Sequence, residues 1–175
     1  MKNRFFISDT HFDHANILTF TDYAGKPVRE FDSVEAMNEA MIERWNAVVK
    51  PGDTVYHLGD VAIAKRGLTH LARLNGRKIL VKGNHDIFKL KDYVEHFKDI
   101  RASVVRADEG LIFTHIPVHE GQLGRFKVNV HGHLHTNVVM QETVPDTRYI
   151  NVCVEQVNYT PVHLDELIDQ AAKVA

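Results

Sequence analysis

Five short stretches of this chain gather carboxylate, amide and imidazole side chains: Ser8-Asp9-Thr10-His11, His57-Leu58-Gly59-Asp60, Gly83-Asn84-His85-Asp86, His115, and His131-Gly132-His133-Leu134-His135. Histidine is in surplus, with twelve residues against four Met and five Tyr. Imidazole, carboxylate and amide oxygen without thiolate make a donor set for borderline-to-hard divalent ions such as Mn²⁺, Fe²⁺, Zn²⁺ or Ni²⁺, and not for a sulfur-rich structural zinc site. His133 and His135 alternate, a spacing that turns both side chains to one face of a strand. The candidate ligands are too many for one tetrahedral ion. Two ions roughly 3.5–4 Å apart, sharing one carboxylate, would use them all, and such a pair deprotonates a bridging water and clamps phosphoryl oxygens. Each stretch alone has a structural reading: Gly59-Asp60 is a common turn, and Gly83-Asn84 suits a hairpin or a helix cap. Their joint placement is what points to a site.

That placement follows from the elements. Apolar runs at residues 4–8, 54–58, 78–81, 111–114, 127–130 and 149–154 read as strands, several of them continuous, as expected for strands covered on both faces. Helical patterns lie between them, which is the sequence form of an α/β domain. The five polar stretches fall at the ends of the first five of these strands, where open α/β sheets bind ligands. The strongest helix spans about 33–49, with Asp32 as expected cap, Glu35 completing a capping box, and Val34, Met37, Met41, Trp45 and Val48 as one core stripe. Further helices are expected near 68–74, 88–97 and 164–172.

The chain of 175 residues contains no repeat, low-complexity tract or linker and is expected to form a single domain, 1–175. A formal net charge of -2 gives no broad basic field, so a protein that coats nucleic acid or lies on anionic membrane is not expected. Nucleic acid stays open only as a substrate. The single cysteine, Cys153, excludes an internal disulfide and suits a reducing compartment. The first residues form no signal-peptide core, and no stretch reaches the roughly 20 apolar residues of a membrane span. The expected location is therefore the cytoplasm; oligomeric state is not legible.

Asp9-x-His11, Gly59-Asp60, Gly83-Asn84-His85-Asp86, His115 and Gly132-His133-x-His135, over residues 4–135, resemble the five ordered motifs of the calcineurin-like metallophosphoesterase family. The resemblance implies a four-layer α/β/β/α sandwich of two mixed sheets flanked by helices. It also implies that Asp9, His11 and His135 hold a first metal, that Asp60 bridges, and that Asn84, His115 and His133 hold a second. Mn²⁺ is the first expectation for both ions, with Fe²⁺, Zn²⁺ or Ni²⁺ as alternatives. By the same resemblance His85 contacts the phosphate and protonates the leaving oxygen, Asp86 orients its imidazole, and a metal-bridging hydroxide attacks the phosphorus.

The chain departs from the family where many members carry an arginine soon after the Gly-Asp motif. Here Val61-Ala62-Ile63-Ala64 follows, and the nearest basic residues are Lys65 and Arg66. Arg66 is thus a candidate substrate contact, together with His14 and Asn16, which follow the first ligands, and Arg125 in a glycine-flanked loop. His57 and His131 read as packed neighbours of the ligands, and His70, His96 and His163 as surface residues. The expected activity is hydrolysis of a phosphodiester or phosphomonoester on a small or nucleotide-like substrate. A nuclease or protein phosphatase on the same site is the first alternative. A non-catalytic scaffold of this fold is the second, and the retained His85 argues against it.

Overall fold

The computed structural model describes residues 3–174. In chain order its first half contains β1 (Arg4–Ile7), α1 (Val34–Val48), β2 (Thr54–His57), β3 (Arg77–Val81), α2 (Leu90–Val94) and β4 (Asp99–Arg101). The second half contains β5 (Val104–Arg106), β6 (Leu111–Phe113), β7 (Val128–His131), β8 (Met140–Gln141), β9 (Val144–Pro145), β10 (Tyr149–Asn151), β11 (Val162–His163) and α3 (Leu164–Ala171). These form two mixed sheets of order β11-β1-β2-β3-β4 and β10-β7-β6-β5, beside a small β8-β9 ribbon. In the first sheet β1 to β4 run parallel and β11 is antiparallel; in the second, β10, β7 and β6 run parallel and β5 is antiparallel. The expected mixed α/β architecture with two mixed sheets and several helices is the one observed. No helix of the described residues is long and apolar enough to cross a membrane.

Continuous apolar strands need cover on both faces, and the first sheet has it. Phe5, Ile7, Val55 and Leu80 pack with Met37, Met41 and Trp45 of α1, while Phe6, Leu58 and Val81 pack with Phe113, Val128 and Val130 of the second sheet. Between the sheets Phe6 stacks on Phe113 at 4.2 Å, and within its own sheet on Tyr56 of β2 at 5.0 Å. Phe6 and Phe113, both fully buried, each contribute roughly 1.5–3 kcal/mol from the area they remove from water.

Several local expectations change. Ser33, not Asp32, caps α1, its Oγ accepting from the Ala36 N–H at 3.0 Å. The helix begins one residue later than a cap at Asp32 requires, which puts Glu35 out of step for a capping box. Val48 is exposed and Ile42 takes a buried place on the helix instead. The segment 68–74 is not an α-helix but part of a 3₁₀ run, Lys65–Arg73. Leu68, Leu71 and Leu74 are all buried and three apart, the period of a 3₁₀ and not an α helix. The helix expected at 88–97 shortens to α2. The ladder expected over 149–154 stops at Asn151, because the next residues cross to the other sheet. The Ser8 N–H donates to the Val152 carbonyl at 2.9 Å, and the Val154 N–H to the Ser8 carbonyl at 3.1 Å. Ser8 is thus the residue at which the two sheets are stitched together.

Candidate metal centre

The polar stretches sit at adjacent strand ends and are tied to one another by their main chains. The Asp9 N–H donates to the Gly59 carbonyl at 3.0 Å, the His11 N–H to the Asp60 carbonyl at 3.1 Å, and the Gly132 N–H to the His115 carbonyl at 2.9 Å. Asp9, His11, Asp60, His133 and His135 all hold left-handed backbone conformations, with φ between 47° and 69°. A residue with a Cβ resists that region by roughly 1–2 kcal/mol, and strain of this kind collects at functional sites. Two close approaches depend on glycine. A Cβ on Gly59 would lie 2.6 Å from Gly83 Cα and 2.7 Å from His115 Nδ1, and one on Gly132 would collide with Ser8 Oγ and Asp9 Oδ2.

Two clusters result, Asp9–His11–His135 and Asp60–His115–His133, each offering ligand atoms within 4.8 Å of one another. Asp9 Oδ1 lies 3.8 Å from both His11 Nε2 and His135 Nε2. Asp60 Oδ2 lies 3.4 Å from His115 Nε2 of its own cluster and 3.7 Å from His11 Nε2 of the other, so one oxygen faces both. Asn84 Oδ1 is 2.8 Å from His115 Nε2, which brings the amide to the second cluster.

Several other atoms of these side chains are already engaged. Asp9 Oδ2 accepts from the His133 N–H at 2.8 Å and from the Cys153 thiol at 3.1 Å; Asp60 Oδ1 accepts from the His85 N–H at 2.8 Å. His115 Nδ1 is 2.8 Å from the Leu58 carbonyl, a contact that turns Nε2 towards Asp60 Oδ2 and Asn84 Oδ1. Asp9 Oδ1 and His11 Nε2, by contrast, are buried without a hydrogen-bond partner among the described residues. Buried polar atoms are normally satisfied, and a divalent cation between these two would satisfy both. Each cluster is able to hold a metal.

The electrostatics are those of a site built for positive charge. Burial would raise the Asp9 carboxyl, yet the imidazoles of His11, His115 and His135 around it hold it well below the usual carboxylate range. Burial likewise opposes charge on His115, and Asp60 and Asp9 more than offset it, so its pKa lies above the ordinary value.

His85 is exposed beside the clusters, its ring 5.6 Å from that of His11. Asp86 does not orient it. The Asp86 carboxylate accepts from three main-chain N–H groups, those of Asp60 at 2.9 Å, Val61 at 3.0 Å and Gly83 at 2.8 Å. Both of its oxygens are spent on joining two ligand loops, so none is turned to the imidazole. His14 lies near the centre, its ring 5.5 Å from that of His11; burial first, then the nearby His11, pushes its pKa down to about 4. Asn16 is exposed in the 3₁₀ turn Ala15–Thr19. Arg66 is engaged by another carboxylate: its Nε donates to Asp13 Oδ2 at 3.2 Å, and Lys65 pairs with Asp92. Arg125 lines a separate groove with Glu120 and Arg148 that includes no ligand residue. His70 is not a free surface residue, since its Nε2 lies 3.0 Å from Asp13 Oδ1. His57 is fully buried between the Thr10 hydroxyl, 2.9 Å from Nε2, and the Gly59 N–H, 3.2 Å from Nδ1.

Two residues escaped the sequence reading. Arg29 is buried behind the first cluster and donates to the Asp9 carbonyl at 2.6 Å, the Thr10 carbonyl at 2.9 Å and Glu155 Oε1 at 2.7 Å. Glu155 Oε1 is in turn 2.9 Å from His135 Nδ1, which turns His135 Nε2 towards Asp9. Burial favours a protonated Glu155, but the Arg29 charge and His135 prevail and lower its pKa. Glu155 was findable: it follows the strand read at 149–154 and obeys the same strand-end rule as the others. Arg29 lies in a long connection with no pattern around it.

Several known proteins are similar to this chain. The chain is 35% identical over 174 residues to an uncharacterized protein of Methanocaldococcus jannaschii, covering 96% of this chain and 90% of that one. It is 33% identical over 91 residues to the Gene 66 protein of Mycobacterium phage L5, covering 49% of this chain and 41% of that protein. A crystal structure of a protein of unknown function from Aquifex aeolicus superposes with a TM-score of 0.72 at 27% identity, covering 97% and 99% of the two chains. A family model described as the calcineurin-like phosphoesterase superfamily domain matches residues 3–153.

Proposed function

The chain belongs to the calcineurin-like phosphoesterase superfamily, and from that membership we propose that it hydrolyses small organic phosphate esters at a dinuclear metal centre. The observation that carries the reading is Asp60 Oδ2, which faces His115 of one cluster and His11 of the other. Asp9, His11 and His135 would hold one ion, and Asn84, His115 and His133 the other, with Asp60 common to both. When bound, two divalent ions supply an activated water at neutral pH and neutralise charge on the phosphoryl oxygens; Mn²⁺ is the first ion to test.

The protein's own groups do the rest. His85 has an exposed imidazole at the rim of the centre and no competing carboxylate, so it is the group to deliver a proton to the departing ester oxygen. Asp86 fixes the loop that carries Asn84 and His85 by gathering three main-chain amides. Glu155 and Arg29 hold His135 and the Asp9 backbone in register. The preference for a small ester over a nucleic acid is supported by the cleft beside His133 and His135, among whose lining residues there is no lysine or arginine. A polyanionic backbone is gripped through such cations.

The deciding experiment strips the protein of metal and restores Mn²⁺, Mg²⁺, Zn²⁺ or Ni²⁺ against a panel of aryl phosphomonoester, aryl phosphodiester, cyclic nucleotide and short DNA. Metal-restored turnover of a small ester, lost in Asp60→Asn, is the expected result. Turnover confined to DNA would replace this reading with a nuclease, and no turnover with any ion would end it.

A further inference from the structure

The cleft beside the second ligand loop has a composition of its own. It encloses about 430 Å³, within the size range of small-molecule sites. Ile17, Phe20 and Val28 line it together with His133 and His135, and Tyr23 stands at its exposed edge. Any ester whose phosphoryl group lies on the two clusters therefore has this cleft as a neighbour. Phe20 is 48% exposed and Tyr23 99% exposed. Large aromatic faces left to solvent beside a catalytic centre are out of keeping with a chain that buries Phe5, Phe6, Phe12 and Phe113.

Geometry links the cleft to the centre. The Phe20 ring meets His14 edge-on at 5.6 Å, and His14 lies 5.5 Å from His11. The charge pattern narrows the occupant. Asp22 is the one charged lining residue besides the histidines, and its Oδ1 is held by the N–H groups of Ala24 and Lys26, both at 2.9 Å. With no cation to meet a second phosphate or a carboxylate, the cleft suits a neutral group, and its exposed rings suit a flat one.

We propose that this cleft binds the organic part of the substrate, and that this part is a neutral aromatic ring received by Phe20 and Tyr23. The assignment rests on the phosphoesterase reading above and narrows its substrate to aromatic phosphoesters. Ring-on-ring contact is a modest but specific source of affinity, equivalent to about three- to tenfold in binding.

The test is binding rather than turnover. Titration calorimetry of phenylphosphonate and of methylphosphonate into the Mn²⁺-loaded protein compares a probe that has the ring with one that lacks it. The wild-type protein is expected to favour the phenyl probe by about three- to tenfold, and Phe20→Ala together with Tyr23→Ala to bring the ratio to about twofold or less. Both side chains are exposed, so the fold is expected to survive the substitutions, which circular dichroism verifies. Equal binding of the two probes by the wild type, or a phenyl preference undiminished in the double variant, overturns the assignment. Turnover is a separate readout: phenyl preference without hydrolysis of any ester would sink the phosphoesterase reading and leave the cleft, and hydrolysis without preference would do the reverse.

Discussion

Arg29 and Glu155 meet as a buried ion pair, Nε to Oε1 at 2.7 Å, and both touch the Asp9–His11–His135 cluster from behind. Taking two charges out of water is costly, and such a pair is worth keeping only where its geometry is well satisfied. Here the guanidinium also serves two main-chain carbonyls, and the carboxylate also serves the His135 imidazole.

Glu155→Gln is expected to separate this support from the ligands. It leaves Arg29 buried without its counter-charge, a loss of about 3–5 kcal/mol in stability, and weakens the hold on the His135 tautomer. Metal titration followed by calorimetry is expected to find one site weakened by about 10–100-fold and the other little changed. Two sites weakened alike would mean that Glu155 acts on the fold and not on His135.

His85 and Asp86 are neighbours with different duties. His85→Ala removes an exposed side chain, so the melting temperature is expected to hold while kcat drops by about 10²–10⁴-fold. Asp86→Asn turns a charged acceptor of three amides into a poorer one, at about 1.5–3 kcal/mol for each bond to a charged group that is lost. Urea unfolding checks both variants. An Asp86→Asn protein as stable as the wild type would remove the carboxylate from its role in joining the loops.

Acid should destabilise the metal-free protein through His57. Its Nδ1 accepts from the Gly59 N–H, so a proton placed there faces a donor with a donor. Burial, the main cause, pushes its pKa from 6.5 down to about 4. Between those values the unfolded chain binds more protons than the folded one. The contribution is therefore complete above about 6.5 and is lost as pH falls towards 4, on the order of 3 kcal/mol in all. Stability measured by urea unfolding from pH 4 to 8 is expected to lose much of this slope in His57→Gln; an unchanged slope would assign the acid limb to other groups.

The left-handed ligands make a sharper stability test. In the metal-free protein His133→Gly is expected to be more stable than His133→Ala by about 1 kcal/mol, since only glycine takes φ 69° freely. Both variants should lose the second metal. The opposite order of stability would mean that the loop relaxes out of this conformation once the imidazole is gone.

Much of this centre was legible because a strand end is a local feature: apolar run, then polar residue. The five polar stretches needed no knowledge of which strands pair. The order of the sheets did need it, and β4 and β5, three residues each and interrupted by Asp99, Arg101 and Arg106, carry too little apolar pattern to read as strands. Arg29 was illegible for a different reason. Its partners are main-chain oxygens of Asp9 and Thr10, and no side-chain spacing encodes a carbonyl. Asp86 was misassigned for the same cause: proximity in sequence suggested His85, while the carboxylate is held by amides some 25 residues away as well as by its own loop.

Ser8 belongs by hydrogen bonding to both sheets, and Asp9 comes next in the chain. The seam and Asp9 are consequently one mechanical element. Whatever tightens Asp9 also closes the bonds made by the Ser8 and Val154 amides, neither of which offers an atom to a metal. Deuterium uptake at those two amides should slow on metal loading, which makes the join between the sheets a remote gauge of occupancy.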